Sequence, residues 1–226
     1  MGGFVGVFDS GKGGLTVLTS CKTLLPDEKF LYFADTANAP YGNKSDEYIK
    51  DRVFAISQMF VDRGAKAIVV ACNTATNVGI KELRQHFKIP FVGLEPAIKP
   101  AIEQCASGKI ILLCTKATAR QDKLKDLLAR HSSGNIEVVA LETLATLIEN
   151  NFRNLESIRG DVYSILSKHQ DVCGVILGCT HYIHIKNIIT DFYSNNNVKV
   201  FDGNDGAARR LKQLLAAQKG TGTLDL

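Results

Sequence analysis

Two cysteines stand in matching words of the sequence, Val69-Val70-Ala71-Cys72-Asn73-Thr74 and Ile176-Leu177-Gly178-Cys179-Thr180-His181. Each closes an apolar, strand-like run and precedes small polar residues suited to a helix start. Sheets of α/β proteins bind ligands at the carboxyl ends of their strands. A thiol placed there meets the positive end of the following helix, which is expected to favour thiolate and so reactivity. A cysteine taken singly is more often a small buried apolar residue, the reading given to Cys21, Cys105 and Cys173. The matched contexts reverse that reading for Cys72 and Cys179. One Cys with His and Asn would suggest acyl transfer. Two strand-end thiols from opposite halves suggest acid/base groups flanking one carbon, one removing a proton and the other returning one to the opposite face. Asp9, in the first half, and His181, two residues after Cys179, are placed to assist them.

Other candidates surround these. Asp9-Ser10-Gly11-Lys12-Gly13-Gly14 is a Gly-rich turn whose backbone N–H groups could bind phosphate or carboxylate, or could form a simple tight turn. It matches neither nucleotide-binding glycine pattern in register. Asn73-Thr74-Ala75-Thr76 and Thr180 offer an amide and hydroxyls that suit a carboxylate cradle and equally suit helix caps. Ala39-Pro40-Tyr41-Gly42-Asn43 reads as a turn, and Glu95-Pro96 with Pro100 brackets a further helix start.

The elements that must position these residues alternate. Apolar runs at Phe4–Phe8, Phe30–Ala34, Ala67–Ala71, Lys109–Leu113, Ile136–Ala140, Gly174–Leu177 and Val198–Phe201 read as strands covered by helices on both faces. Over Ser45–Arg63, Ile49, Val53, Ile56 and Phe60 recur at helical spacing, with Ser45 as cap, an acidic first turn and Gly64 as stop. Alternation of this kind predicts an α/β fold with parallel sheets. Asp9 precedes Cys72 by 63 residues and Thr115 precedes Cys179 by 64, and Ile110-Ile111-Leu112-Leu113-Cys114-Thr115 echoes the two cysteine words. Two similar halves meeting at a cleft are therefore expected.

The chain has 226 residues, 45% of them apolar, enough for a large core without cross-links. Its six cysteines contain no C-x-x-C pair, so neither metal ligation nor a disulfide scaffold is expected. A net charge of +4, with basic residues scattered, argues against nucleic acid. No secretory signal and no apolar run near about 18 residues is present, so a soluble cytoplasmic protein is expected, away from the membrane.

Phe8-Asp9-Ser10-Gly11, Gly13-Gly14-Leu15-Thr16-Val17, Pro40-Tyr41-Gly42, Ala71-Cys72-Asn73-Thr74-Ala75-Thr76, Gly93-Leu94-Glu95-Pro96-Ala97 and Leu177-Gly178-Cys179-Thr180-His181-Tyr182, in this order, resemble glutamate racemase of the aspartate/glutamate racemase superfamily. The resemblance runs from about residue 4 to about residue 206. It implies cofactor-independent, metal-free interconversion of L- and D-glutamate, supplying D-glutamate for peptidoglycan. It implies two flavodoxin-like domains related by pseudo-twofold symmetry, with the site in the cleft between them, and a homodimer. The domains would span 1–93 plus 207–226, carrying Asp9 and Cys72, and 94–206, carrying Glu149, Cys179 and His181. By the same resemblance Cys72 and Cys179 are the opposed acid and base, Asp9 assists the first, and His181 with Glu149 assists the second. Substrate contacts would come from Asp9, Ser10, Tyr41, Gly42, Asn73, Thr74, Thr180 and His181. The sequence departs from the family in having Cys114 where Gly is common and Lys12 where a small apolar residue is usual. It also lacks a Cys-Pro run before Glu149, has Tyr182-Ile183-His184 in place of Tyr-Pro, and is somewhat short. Aspartate racemisation and an amino-acid-binding regulator of weak activity stand as the alternatives; an anion-binding module with structural cysteines leaves the echoed Cys-Thr words unexplained.

Overall fold

The computed structural model describes residues 3–105, 108–131, 135–194 and 196–220. Its first half runs β1 (Phe4–Asp9), α1 (Leu15–Leu24), β2 (Phe30–Ala34), α2 (Asp46–Asp62), β3 (Ala65–Val70), α3 (Asn73–His86) and β4 (Phe91–Gly93). The second continues with α4 (Ile98–Gln104), β5 (Ile110–Thr115), α5 (Lys116–Ala119), α6 (Asp122–His131), β6 (Ile136–Leu141), α7 (Leu144–Asn150) and α8 (Arg159–Leu166). It ends with β7 (Gly174–Leu177), α9 (Thr180–Ile183), α10 (Lys186–Phe192) and β8 (Lys199–Asp202), and α11 (Asn204–Gly220) closes the described chain. The strands form two four-stranded parallel sheets ordered β2-β1-β3-β4 and β6-β5-β7-β8. The order is the same in both halves and is that of doubly wound, flavodoxin-like sheets.

The continuous apolar runs are strands because both faces of each sheet are covered. On the first sheet, Val5, Val7 and Val69 pack with Val17 and Cys21 of α1 and Leu211 and Leu215 of α11. Phe8, Ile68 and Val70 pack on the other face with Phe60 of α2 and Leu83 of α3. On the second, Ile110, Leu112 and Ile176 meet Ile98 and Leu124, while Ile111, Leu113 and Val175 meet Ile148, Val162 and Ile189. Each such side chain contributes about 1.5–3 kcal/mol of transfer free energy. Helix α2 forms where its spacing predicts: the Ser45 hydroxyl accepts from the Tyr48 N–H at 3.2 Å, Ile49, Val53, Ile56 and Phe60 are buried, and left-handed Gly64 (φ +83°) ends it.

Among the described residues, eight strands are present where the apolar runs mark seven. The additional strand, β4, pairs with β3 from Ile68↔Phe91 to Val70↔Gly93. Three residues after a proline carry too few positions to show any periodicity, and β3 supplies the pairing that holds them. Strand β5 reaches Thr115, so Asp9 and Thr115 end the two central strands as counterparts. Among the described residues, no helix is long and apolar enough to cross a membrane.

Candidate active site

The carboxyl ends of the two sheets face each other. Cys72 is the N-cap of α3 and Cys179 the N-cap of α9, both with extended backbone. The β1–α1 loop lies between them and touches the second half directly: the Thr180 hydroxyl donates to both Asp9 oxygens at 3.4 Å. The Asp9 carboxylate is fully buried and also accepts from the Gly14 N–H at 2.8 Å. Of the residues expected to bind substrate, Ser10, Asn73, Thr74, Thr180 and His181 are buried here as well.

Around Cys72, the thiol donates to Ser10 Oγ at 3.8 Å and accepts from the Ala75 N–H at 3.4 Å. Around Cys179, the sulfur lies 3.7 Å from His181 Nδ1, and His181 Nε2 lies 2.7 Å from Glu149 Oε2. Glu149 sits on α7, 32 residues from His181 in the chain, so the helix packing brings this relay together. Thr74 reaches across the cleft, its hydroxyl 3.1 Å from that of Thr115 and 3.2 Å from that of Thr118. Asn73 donates to the Leu94 carbonyl at 3.2 Å, while its own carbonyl oxygen is buried without a partner.

The electrostatics depart from one expectation. The position at a helix start predicts a stabilised thiolate at Cys72, yet burial, followed by the charge of Asp9, pushes this thiol well up. The Ala75 N–H and Ser10 pull the other way and lose, because one helix end offsets only a fraction of the cost of burying an anion. Burial likewise raises Asp9, against the opposing influence of His181 and the Gly14 N–H. Burial alone would push the His181 imidazole down; hydrogen bonds to Cys179 and Glu149 and the charges of Cys179 and Asp9 raise it well above its ordinary value. The hydrogen bond from His181 holds Glu149 low against burial, with help from Lys12. The arrangement sets a buried carboxylate beside one thiol and an imidazole–carboxylate pair beside the other, so each thiol has a neighbour able to exchange a proton with it.

Tyr41 and Gly42 take different places from the rest. The Tyr41 hydroxyl donates to Asp35 Oδ2 at 2.6 Å, and Asp35 is held further by Asn38 Nδ2 at 2.8 Å and by Arg52 through two bonds of 2.9 Å. The phenol therefore anchors the loop, and Gly42 packs against the Thr115 side chain across the cleft. Sequence reading missed Thr115 and Thr118 as members of the site; the echo of Cys114-Thr115 with Cys179-Thr180 was the available signal. Among the described residues, no group of three or more His, Cys, Asp or Glu side chains is arranged to hold a metal ion.

The sequence profile described as Asp/Glu/Hydantoin racemase matches residues 14–211. Glutamate racemase of Halothermothrix orenii is 38% identical over 214 residues, covering 93% of this chain and 84% of that protein. Glutamate racemase of Clostridium botulinum is 39% identical over 214 residues, covering 93% and 83%. Among solved structures, Escherichia coli glutamate racemase in complex with L-glutamate and the activator UDP-MurNAc-ala superposes with a TM-score of 0.87 at 32% identity, covering 95% of this chain and 83% of that one. The Francisella tularensis enzyme in complex with D-glutamate gives 0.80 at 27% identity, covering 99% and 84%.

Proposed function

The chain belongs to the Asp/Glu/Hydantoin racemase family, and from that membership we propose that it interconverts L- and D-glutamate by a two-thiol acid/base mechanism. The observation that supports the mechanism is the pair of cysteines capping α3 and α9 at the facing strand ends, each with its own proton partner. One sulfur, as thiolate, takes the α-hydrogen as a proton, and the electron pair passes into the substrate carboxylate. The opposite thiol gives its proton to the other face of the α-carbon. Turnover leaves the proton moved from one sulfur to the other, and the reverse reaction or exchange with water restores it.

Asp9, raised by burial, is suited to accept the proton of Cys72, and His181, held by Glu149, that of Cys179. A substrate ammonium entering beside Cys72 favours its thiolate and offsets the burial that opposes it. Ser10, Asn73, Thr74 and Thr180, with the backbone around Tyr41 and Gly42, form the cradle for the carboxylates, and the unpartnered Asn73 oxygen is an acceptor for the ammonium. The domains are 1–93 plus 207–226 and 94–206, with the site between them; α11 returns to pack on α1 of the first. Supply of D-glutamate for peptidoglycan in the cytoplasm, by a homodimer, completes the reading, and sedimentation analysis tests the assembly.

The deciding experiment incubates the protein with L-glutamate in D2O without added cofactor, following optical rotation and α-deuterium. Loss of rotation with deuterium incorporation is expected. Racemisation of L-aspartate and not of L-glutamate would replace the substrate, and no exchange with either would replace the activity. Cys72→Ser and Cys179→Ser are each expected to lower kcat by about 10²–10⁴-fold.

A further inference from the structure

Lys12 belongs to the first half of the molecule, yet its backbone N–H and its ammonium both reach the second. Its backbone N–H donates to Glu149 Oε2 at 3.3 Å, its ammonium lies 3.7 Å from Glu149 Oε1, and the same ammonium sits 5.2 Å above the Phe152 ring. Both oxygens of Glu149 are therefore engaged by one residue from across the cleft. Oε2 is also the oxygen 2.7 Å from His181 Nε2. The loop that carries Lys12 is held at close quarters, with Leu15 N–H donating to the Lys12 carbonyl at 3.2 Å and Tyr32 OH to the Gly11 carbonyl at 2.9 Å.

We propose that Lys12 is a positioning residue for the racemisation proposed above, which clamps Glu149 against His181 across the cleft so that the relay to Cys179 is complete only when the halves are closed. The proposal rests on that functional reading. The Lys12 side chain is 45% exposed and the Glu149 side chain 13%. As a contribution to stability such a pair is minor, because water screens the ammonium. Its consequence lies in the relay. The carboxylate that steadies the imidazolium is shared with a second cation, so Lys12 sets how strongly Glu149 holds a proton on His181. Opening the cleft withdraws Lys12 and leaves Glu149 free to turn from the imidazole.

The other groups facing this relay are Asp9 and Cys179, whose negative charge favours imidazolium, and His184, whose own protonation the charge of His181 disfavours. The His184 ring is packed against the backbone of Lys12 and Gly13, and burial keeps it below its ordinary value. Tyr32 also lies within the field of Glu149. None of these is removed by a change at Lys12, so the shift produced there is assignable.

The test compares wild type with Lys12→Met, which keeps the stem and removes the charge, with Lys12→Glu, which repels Glu149, and with Lys12→Arg. On the scale of exposed charge pairs, Lys12→Met is expected to lower kcat by about two- to fivefold with KM nearly unchanged. Lys12→Glu should lower it further, and Lys12→Arg should restore it. The His181 imidazole, followed by 15N NMR, should titrate at higher pH in Lys12→Met, since Glu149 no longer shares its charge. A wild type that racemises glutamate while Lys12→Met and Lys12→Glu match it in kcat and His181 titration overturns the clamp and leaves the functional reading intact. A wild type with no α-exchange overturns that reading and the clamp with it.

Discussion

Gly13 brings the first half into close contact with the first turn of α9 in the second. A Cβ built there would lie 2.6 Å from Thr180 Oγ1, 2.8 Å from Thr180 Cβ and 2.8 Å from the His181 nitrogen. Two of these atoms belong to the stem and backbone of the first turn of α9, so no rotation of a flexible side chain relieves the overlap. Ordinary contact begins at 3.4 Å, so Gly13→Ala forces the loop and α9 apart by about 0.6–0.8 Å. Thr180 bonds Asp9 at 3.4 Å, and His181 follows it in the same turn, so the displacement falls directly on the Asp9 side and the His181 side of the site. Misplacement approaching 1 Å costs about 10²-fold in rate, and Gly13→Ala is expected to lower kcat/KM by about 10–10²-fold. The wedge acts between the halves, outside either sheet's core, so the melting temperature should move by only a few degrees. Gly160, in α8, has no heavy atom near an added Cβ. Gly160→Ala is therefore the control, with unchanged activity and a gain of about 0.5–1 kcal/mol in stability. Racemisation kinetics and thermal melting measured on the same samples decide the matter. A Gly13→Ala enzyme within threefold of wild type would refute a closed contact between loop and helix in the working state.

Removing the Arg52 guanidinium leaves the buried Asp35 carboxylate with only Tyr41 and Asn38. Breaking a buried pair costs about 3–5 kcal/mol, and because Arg52 is 32% exposed, water can replace part of it, giving about 2–3 kcal/mol for Arg52→Met. Thermal denaturation should show this as a fall of about 4–12 °C, with Asp35→Asn in the Arg52→Met background costing less than the sum of the two. Asp35 also gives an acid limb. Burial raises it, but Arg52, Tyr41 and Asn38 win and hold it below 3.8, so its stabilisation is complete above that value and lost as pH falls through the lower folded one. Stability measured against pH should lose that slope in Asp35→Asn. Asp9 runs the other way: its folded value is raised, so its contribution is present below 3.8 and lost as pH rises through the folded value. Asp9→Asn should therefore melt higher than wild type at pH 7 while losing racemisation, and a lower melting temperature there would contradict the burial argument.

The sequence made the strands and the thiols visible for one physical reason. A strand covered on both faces must be apolar along its whole length, so Ala67–Val70 and Ile110–Leu113 announce themselves without alternation. Strand β4 is equally buried at Phe91 and Val92, but three residues cannot display a pattern. The placement of Glu149 beside His181, the Thr74–Thr115–Thr118 cluster and the commitment of the Tyr41 phenol to Asp35 all depend on how helices and loops pack, which spacing does not encode. The helix start at Cys72 is recognisable from residue types, whereas the burial that pushes its thiol up is not.

The two halves share a strand order and a cysteine at the same structural position, but the groups beside the two cysteines differ. Glutamate has no twofold axis, so a truly symmetric cleft would accept it in two equivalent orientations. Divergence at the ends of the central strands, Asp9 in one half and Thr115 in the other, removes that degeneracy. It also orients the charge: a buried carboxylate stands beside Cys72, while a raised imidazole stands beside Cys179, and Thr180 ties the first to the second. The proton of Cys72 is thus held by burial and by the Asp9 charge. Enantiomers have equal free energies, so kcat/KM must be the same in both directions however unequal the two helpers are. The inequality between Asp9 and the His181–Glu149–Lys12 relay can then appear only where kcat and KM trade against each other, and in the pH limbs that each helper governs. A substitution at either helper should leave the ratio of the two kcat/KM values at one while moving the individual kcat values apart.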